Sequence, residues 1–271
     1  MSKVPRHSIQ SENRGRANGS GGLPLELGAR LPHDEAGTLG GLSDWTSGTH
    51  LRQMPMRIVV FGASSGIGRE LVLQARTGGH HAVAVARSIG SEAAASLTLV
   101  RGSVLDPGVA ERAVAGADAV AWCVGVRTLG PAFLRKVTVF SEGTRRAIEA
   151  MKEAGVSRLA VITGIGAGES RGHGGLLYEW IGLPLIVGGI YADKDRQEAI
   201  VKASGLNWTI VRPTLLTNGP RTGQYRVLTN LEGVHGGRIS RADCADCLMR
   251  AIVEGAWSRT AVTITDGDER R

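Results

Sequence analysis

Two hydrophobic patterns alternate along most of the chain. Short, unbroken apolar runs, such as IVVF at 58–61 and AVAVA at 82–86, are typical of strands buried on both faces of a sheet. Between such runs lie longer stretches with apolar residues at helical spacing, each with a glycine near its end. The alternation predicts an α/β fold, namely a parallel, right-handed, doubly wound sheet with helices on both faces.

The same patterns place the later elements. We predict helices within 106–116, 135–155 and 191–205, and a last helix whose first turn is capped by Ser240. Further strands are predicted within 96–106, 116–126, 156–168 and 206–216.

The first 55 residues follow neither pattern. They are rich in glycine, serine and charge, as in SENRGRANGSGG at 11–22, which predicts a disordered extension at 1–55 before a single domain at 56–271. A translation start at Met54 or Met56 would remove this extension. Because the chain has neither the apolar core of a signal peptide nor an apolar run of about eighteen residues, we expect a cytoplasmic protein without a membrane span.

A glycine-rich turn, GASSGIG at 62–68, follows the first predicted strand. Its glycines allow positive φ and let a ligand approach the backbone closely. The helix that begins near Ile67 points its free N–H groups and positive dipole end at the turn. The spacing is not Gly-x-Gly-x-x-Gly, but this strand and helix predict the same pyrophosphate seat for a dinucleotide. The residues assigned to the seat are Gly62, Ser64, Ser65, Gly66, Ile67, Gly68 and Arg69.

The end of the second predicted strand indicates which dinucleotide is bound. NAD binders usually place a carboxylate there for the ribose 2′-hydroxyl, whereas an arginine accommodates a 2′-phosphate. This chain has Arg87 and Ser88 at that place, and Arg69 can add a second positive charge. The cofactor predicted from these residues is therefore NADP(H).

Other cofactor contacts follow from the predicted topology. Ligands of such sheets lie beyond the carboxyl ends of the strands. The residues just past the predicted strands are therefore candidate contacts: Asp106, Val124, Gly125, Thr163, Gly164, Pro213 and Thr214.

The formal net charge of +7 permits an anionic partner. Nucleic acid is not expected, because the basic residues are scattered and only 4% of the chain is aromatic, which leaves few stacking platforms. An anionic cofactor and a small anionic substrate explain the charge. The sequence leaves a monomer and a homodimer equally open.

The cysteines suit a reducing compartment. Cys244 and Cys247 have C-x-x-C spacing, but no second pair or histidine cluster accompanies them, so no metal site is expected. We interpret them as small residues that pack one face of the last helix, with a redox pair as the alternative.

Several of these segments resemble the atypical short-chain dehydrogenase/reductases with an NAD(P)H-binding Rossmann-type fold. The likeness is carried by VVFGASSGIGRELV, GSVLDP, YADKDRQEAIVKASGLNWTIVRPTLLTNGP and ISRADCADCLMRAI, and it runs from about residue 56 to about residue 266. It is strongest with the group of biliverdin-IXβ reductase (flavin reductase) and the NmrA-like oxidoreductases. The resemblance implies that Lys194 borders the nicotinamide ribose and the substrate.

The chain departs from the catalytic pattern of the classical branch. That branch has a serine after the fifth strand and Tyr-x-x-x-Lys on the next helix, where the lysine lowers the tyrosine pKa. Here Thr163 takes the serine position, and Tyr191 and Lys194 are one residue closer together. We expect the helix to begin after Tyr191, which puts Lys194 in its first turn. Tyr178 has no matching lysine.

The loop LTNGPRTGQY at 216–225 holds the candidate substrate residues. Arg221 could grip a carboxylate, and Tyr225 could stack on a planar ring. The alternative interpretation of Arg221 and Tyr225 is that they are ordinary loop residues without a functional role. The same interpretation applies to His173.

Together these residues favour an NADPH-dependent reductase of a small, planar, conjugated acceptor such as a flavin, quinone or tetrapyrrole, with Lys194, Thr163 and Tyr191 as catalytic candidates. A non-catalytic NADP(H) sensor of the NmrA-like type is the alternative. An epimerase or dehydratase of a nucleotide-linked sugar is weakened by the missing Tyr-x-x-x-Lys.

Overall fold

The computed structural model describes residues 54–88, 90, 94–126, 137–170, 188–231 and 236–266. The predicted extension at 1–55, except its last two residues, and the candidates His173 and Tyr178 lie outside these ranges. The strands are β1 (Arg57–Phe61), β2 (His81–Ala86), β3 (Leu97–Arg101), β4 (Ala119–Trp122), β5 (Arg158–Ile162), β6 (Asn207–Pro213), β7 (Leu215–Thr217), β8 (Tyr225–Leu228), β9 (Arg238–Ser240) and β10 (Thr260–Asp266). The helices are α1 (Gly66–Thr77), α2 (Val109–Val114), α3 (Val139–Glu153), α4 (Gly188–Lys202) and α5 (Arg241–Val253).

The predicted doubly wound α/β sheet is confirmed. Within the described ranges, eight strands form one sheet in the order β3-β2-β1-β4-β5-β6-β10-β8, and every neighbouring pair is parallel except β10 and β8. The chain winds outward from β1 in both directions, so the carboxyl ends of β1, β2, β4, β5 and β6 meet along one edge. This edge is where a ligand of such a sheet lies.

Alternate residues of each central strand enter opposite halves of the core. Ile58 and Val60 of β1 pack with α1 and α5, where Leu71 and Leu248 are fully buried. Val59 and Phe61 face the other way, into a cluster that contains α2 and α3. Because both faces are covered, the strands read as continuous apolar runs, as the sequence pattern predicted.

Helix α4 begins earlier than predicted, and this corrects the placement of two candidate residues. The glycines at 188 and 189 argued against a helix there, yet Tyr191 lies inside α4 and Lys194 lies beyond its first turn. The helix is held by tertiary contacts instead. The carboxylate of the fully buried Asp193 accepts hydrogen bonds from the backbone N–H groups of Phe140 (2.9 Å) and Ser141 (3.3 Å), at the start of α3.

The region after β6 contains elements that the hydrophobic pattern did not predict. β7 and β9 form a small parallel pair, and β8 adds an antiparallel strand to the edge of the main sheet. Helix α5 was predicted, and the hydroxyl of its cap Ser240 accepts a hydrogen bond from Asp243 N at 2.9 Å. No helix in the described part of the chain is both long and apolar enough to cross a membrane.

Candidate active site

The glycines of the turn between β1 and α1 are required by close packing. A Cβ on Gly62 would lie 2.6 Å from the carbonyl oxygen of Cys123, and one on Gly68 would lie 2.3 Å from the carbonyl oxygen of Gly62. Real Cβ atoms do not approach so closely, so glycine at 62 lets the turn lie against the end of β4, and glycine at 68 lets α1 lie against the turn. Gly62 and Gly66 also have positive φ, +85° and +60°.

The first turn of α1 is open to an anion. Ser65 at the N-cap makes no side-chain capping bond, and the first turn contains no acidic residue. Ser64, Ser65 and Gly66 are exposed. Free N–H groups and the positive end of the helix dipole therefore face the carboxyl edge of the sheet without an internal counter-charge. These residues fit the pyrophosphate of a dinucleotide.

The candidates at the neighbouring strand ends differ in their surroundings. Arg87 and Ser88 are exposed directly after β2, and a Cβ on Gly125, after β4, would meet nothing within 4 Å. These places are accessible to a ligand. Asp106 is exposed too, but its carboxylate accepts the N–H of Ser103 at 2.7 Å, which holds the turn after β3.

Two other candidates, at the end of β6 and directly after it, are engaged with β10. Pro213 is the last residue of β6 and pairs with Ile264 of β10. Thr214 is buried, and its hydroxyl lies 3.3 Å from both the Ile264 carbonyl and the Thr265 hydroxyl. The backbone is engaged as well, since the Pro213 carbonyl accepts the N–H of Ile165 and the Thr214 N–H donates to the Ile264 carbonyl.

Tyr191 and Lys194 come together beside Gly164, just after β5. A Cβ on Gly164 would lie 3.4 Å from both the lysine Nζ and the tyrosine hydroxyl oxygen. Lys194 Nζ donates to the carbonyl of Thr163 at 2.6 Å and lies 5.3 Å from the centroid of the Tyr191 ring. The shorter Tyr-x-x-Lys spacing thus still brings both groups to one point at the carboxyl edge.

The ammonium of Lys194 has an unusual environment. Burial lowers its pKa from 10.5 to about 8, and the carboxylate of Glu198 partly offsets this effect. The ring of Phe140 lies 5.6 Å from Nζ, within the range of a cation–π interaction that helps to hold the ammonium in place. A lysine with such a pKa exchanges its proton near neutral pH, as a general acid does.

A buried ion pair lies behind Lys194, and the sequence analysis missed it. Glu198 of α4 and Arg212 of β6 are 2% and 5% exposed, and their side chains are 2.5 Å apart. The hydroxyl of Thr163 donates to Glu198 at 2.8 Å. This hydroxyl therefore points into the ion pair, and Thr163 contacts Lys194 through its carbonyl. An unusual arginine within the apolar run of β6 was the available signal.

Arg221 and Tyr225 are both held by Asp246 of α5. The guanidinium of Arg221 lies 2.5 Å from the Asp246 carboxylate, and the Tyr225 hydroxyl donates to it at 2.7 Å. Asp243, one turn earlier, accepts from the backbone N–H groups of Thr222 (2.7 Å) and Gly223 (2.9 Å). The loop that carries the substrate candidates is therefore fixed on α5, although the Arg221 side chain is still 60% exposed.

Cys244 and Cys247 are fully buried in the apolar core, as the packing interpretation predicted. Burial raises the pKa of the Cys244 thiol and raises that of Cys247 to about 12. Neither thiol is a ready nucleophile at neutral pH. In the described ranges no group of three or more His, Cys, Asp or Glu side chains is placed to hold a metal ion.

A family profile and a bacterial relative match most of this chain. The profile of a family described as NAD(P)H-binding matches residues 62–254. The Bacillus subtilis (strain 168) protein named uncharacterized sugar epimerase YhfK is 29% identical over 218 residues, which cover 79% of this chain and 95% of that protein.

Two solved structures share the fold. ChuY, an anaerobillin reductase from Escherichia coli O157:H7, has a TM-score of 0.65 at 22% identity, covering 79% of this chain and 99% of its own. A short-chain dehydrogenase/reductase from Veillonella parvula DSM 2008, solved in complex with NADP, has a TM-score of 0.66 at 19% identity, covering 80% of this chain and 98% of its own.

Proposed function

The chain belongs to the NAD(P)H-binding family, and from this membership we propose that it is an NADPH-dependent reductase of a small, planar, conjugated acceptor. The observation that carries the proposal is the convergence of Lys194 Nζ and the Tyr191 hydroxyl beside Gly164. Both groups lie just after β5, at the carboxyl edge where the cofactor of such a sheet binds. An ammonium at this point can act on an acceptor as well as on the nicotinamide ribose.

The cofactor, when bound, supplies the hydride, and the chain supplies position and charge. Lys194 is held by the Thr163 carbonyl and by two aromatic rings. An ammonium fixed in this way stabilises negative charge that develops on an acceptor, and it can deliver a proton to it. Tyr191 offers a second donor at the same point. Thr163 acts as a positioning residue, because its hydroxyl is committed to Glu198.

The class of acceptor is supported by the resemblance to biliverdin-IXβ reductase and by the fold shared with ChuY, which is named an anaerobillin reductase. Arg221 supports it as well. Its guanidinium is anchored by Asp246, yet the side chain is 60% exposed, so it can meet an acceptor carboxylate without losing its place.

We expect the purified protein to oxidise NADPH when a flavin, a quinone or biliverdin is added. The measurement is the loss of NADPH absorbance over a panel of these acceptors, with NADH and an acceptor-free reaction as controls. Tight binding of NADPH without turnover on any acceptor would favour the sensor instead. The Bacillus subtilis relative is named an uncharacterized sugar epimerase, and an epimerase would convert its sugar without net consumption of NADPH.

We expect Arg87→Ala to weaken NADPH binding by about tenfold to a hundredfold and to leave NADH binding nearly unchanged, because one charged hydrogen bond to the 2′-phosphate is lost. Kd is measured for both nucleotides by titration without an acceptor. Arg145→Ala is the matched control, since Arg145 is an exposed arginine paired with Glu142 and Glu149 on α3. An equal loss for both nucleotides would show that Arg87 supports the fold rather than the phosphate.

A further inference from the structure

Arg241, the first residue of α5, lies beside the glycine-rich turn. A Cβ on Gly66 would be 3.8 Å from both Cδ and Nε of this arginine. Its Nη1 donates to the Thr217 carbonyl at 3.0 Å and to the Asn218 side-chain oxygen at 2.7 Å. These partners are neutral, and within the described ranges no carboxylate contacts the guanidinium. Arg241 thus brings an uncompensated positive charge to the start of α1.

The electrostatics around this charge favour the approach of an anion. A cation at the first position of α5 opposes the helix dipole, whose positive end lies there. The positive end of α1, at Gly66, adds to the same field, and its first turn holds no acidic residue. Asp243 of α5 is occupied by Ser240, Thr222 and Gly223. The convergence of the uncapped N-terminus of α1 and a guanidinium indicates a site suited to negative charge.

The space around Arg241 is open to a ligand. Ser65, Gly66, Arg69, Asn218 and Arg241 line the same cleft, whose volume is about 810 Å³. Of the remaining lining residues, Glu70 is acidic and Arg221 is already paired with Asp246. The cleft is therefore basic at one end. At that end lies the predicted pyrophosphate seat, where the glycine-rich turn exposes its backbone N–H groups.

We propose that Arg241 is a pyrophosphate-binding residue for the dinucleotide, supplied by α5 rather than by the glycine-rich turn itself. The proposal rests on the NADP(H) binding in the proposed function but not on turnover. It assigns the two phosphate regions of NADPH to different arginines. Arg87 recognises the 2′-phosphate, which only NADPH has, and Arg241 recognises the pyrophosphate, which NADPH and NADH share.

The test is a comparison of Kd for NADPH and NADH, measured by titration without any acceptor. Arg241→Met is expected to weaken both nucleotides by the same factor, about tenfold to a hundredfold, which is the effect of one charge-assisted hydrogen bond. Arg241→Lys keeps the charge and should recover part of the affinity for both. Arg145→Met, the same change at an exposed residue of α3, serves as the control for the loss of one charge.

Three results would overturn the proposal. Unchanged Kd values for Arg241→Met would mean that the guanidinium is not a ligand. A loss confined to NADPH would place Arg241 at the 2′-phosphate. An equal loss in Asn218→Ala, which removes the contact between Asn218 and Arg241 and keeps the guanidinium, would assign the effect to this contact rather than to phosphate binding. Because no acceptor is present, a failure of the reductase activity leaves this comparison intact. Thermal unfolding of the apoproteins shows that each variant is folded.

Discussion

Replacing Lys194 with methionine is expected to lower kcat by about a hundredfold, the usual loss when one donor to developing negative charge is removed. The KM for NADPH should change little, because methionine keeps an unbranched apolar side chain of similar length at this place and removes only the charge. Steady-state kinetics with the best acceptor of the panel measure both parameters. Lys152→Met, at an exposed lysine of α3, is the matched control and should behave like the wild type.

The pH dependence of kcat is an independent test of the role of the Lys194 ammonium. Burial lowers the pKa of Lys194 to about 8, so the ammonium is present below this pH and is lost as the pH rises through it. We therefore expect kcat to fall above about pH 8 in the wild type and to be flat over this range in Lys194→Met. If Lys194→Met instead raised only the KM for NADPH, the lysine would be a ribose ligand. Wild-type values for both parameters would remove it from the site.

The second large effect is expected from the ion pair between Glu198 and Arg212. Glu198→Ala should lower the free energy of unfolding by about 3–5 kcal/mol, because it leaves a buried arginine without its main partner. Among the described residues, the acidic partner left to Arg212 is Glu169, whose side chain is 69% exposed. Urea unfolding measures the loss. Glu149→Ala, which breaks the exposed pair with Arg145, should cost less than about 1 kcal/mol.

A double replacement separates the buried charge from simple loss of volume. Glu198→Leu combined with Arg212→Met removes both charges and fills similar space, so it should recover most of the stability lost in Glu198→Ala. If the double variant were less stable than Glu198→Ala, packing around Thr163 rather than the unpaired charge would explain the loss. Glu198→Gln should in addition shift the pH profile of kcat downward, because the Glu198 carboxylate raises the pKa of Lys194.

The sequence predicted the parts of the fold that depend on local pattern. The apolar run of β1, the glycines after it and the cap at Ser240 act within a few residues of one another, so their structure follows from spacing alone. The predicted start of α4 was wrong because it depends on a long-range contact rather than on local pattern. Glycines at 188 and 189 speak against a helix locally, and the contact that supports the helix is made by Asp193 with α3, more than fifty residues away along the chain.

The candidate site also has one part that follows from local sequence and another that depends on long-range contacts. The seat at the turn 62–68 could be predicted because a motif carries it, whereas Arg241 is distant from that motif in the sequence and reaches it only through the packing of α5 on α1. Glu198 and Arg212 lie 14 residues apart, on a helix and a strand, and no periodicity marks them as partners. The pairing of Arg221 with Asp246 could not be predicted either, because Asp246 belongs to α5 and lies 25 residues further along the chain. Long-range pairs of charged residues are what a single sequence does not reveal.

The packing of α1 on α5 has a consequence for biosynthesis. The side chain of Gln74 in α1 donates to the Ala242 carbonyl of α5, 168 residues later, and Leu71 shares its core with Leu248. During translation, α1 therefore leaves the ribosome long before the helix that covers its apolar face. The nascent chain must expose that face until α5 emerges. The core around α1, which is made early, is therefore completed only by a helix that is made late. Folding is expected to be slow, and chaperone contact should fall on the early half of the domain.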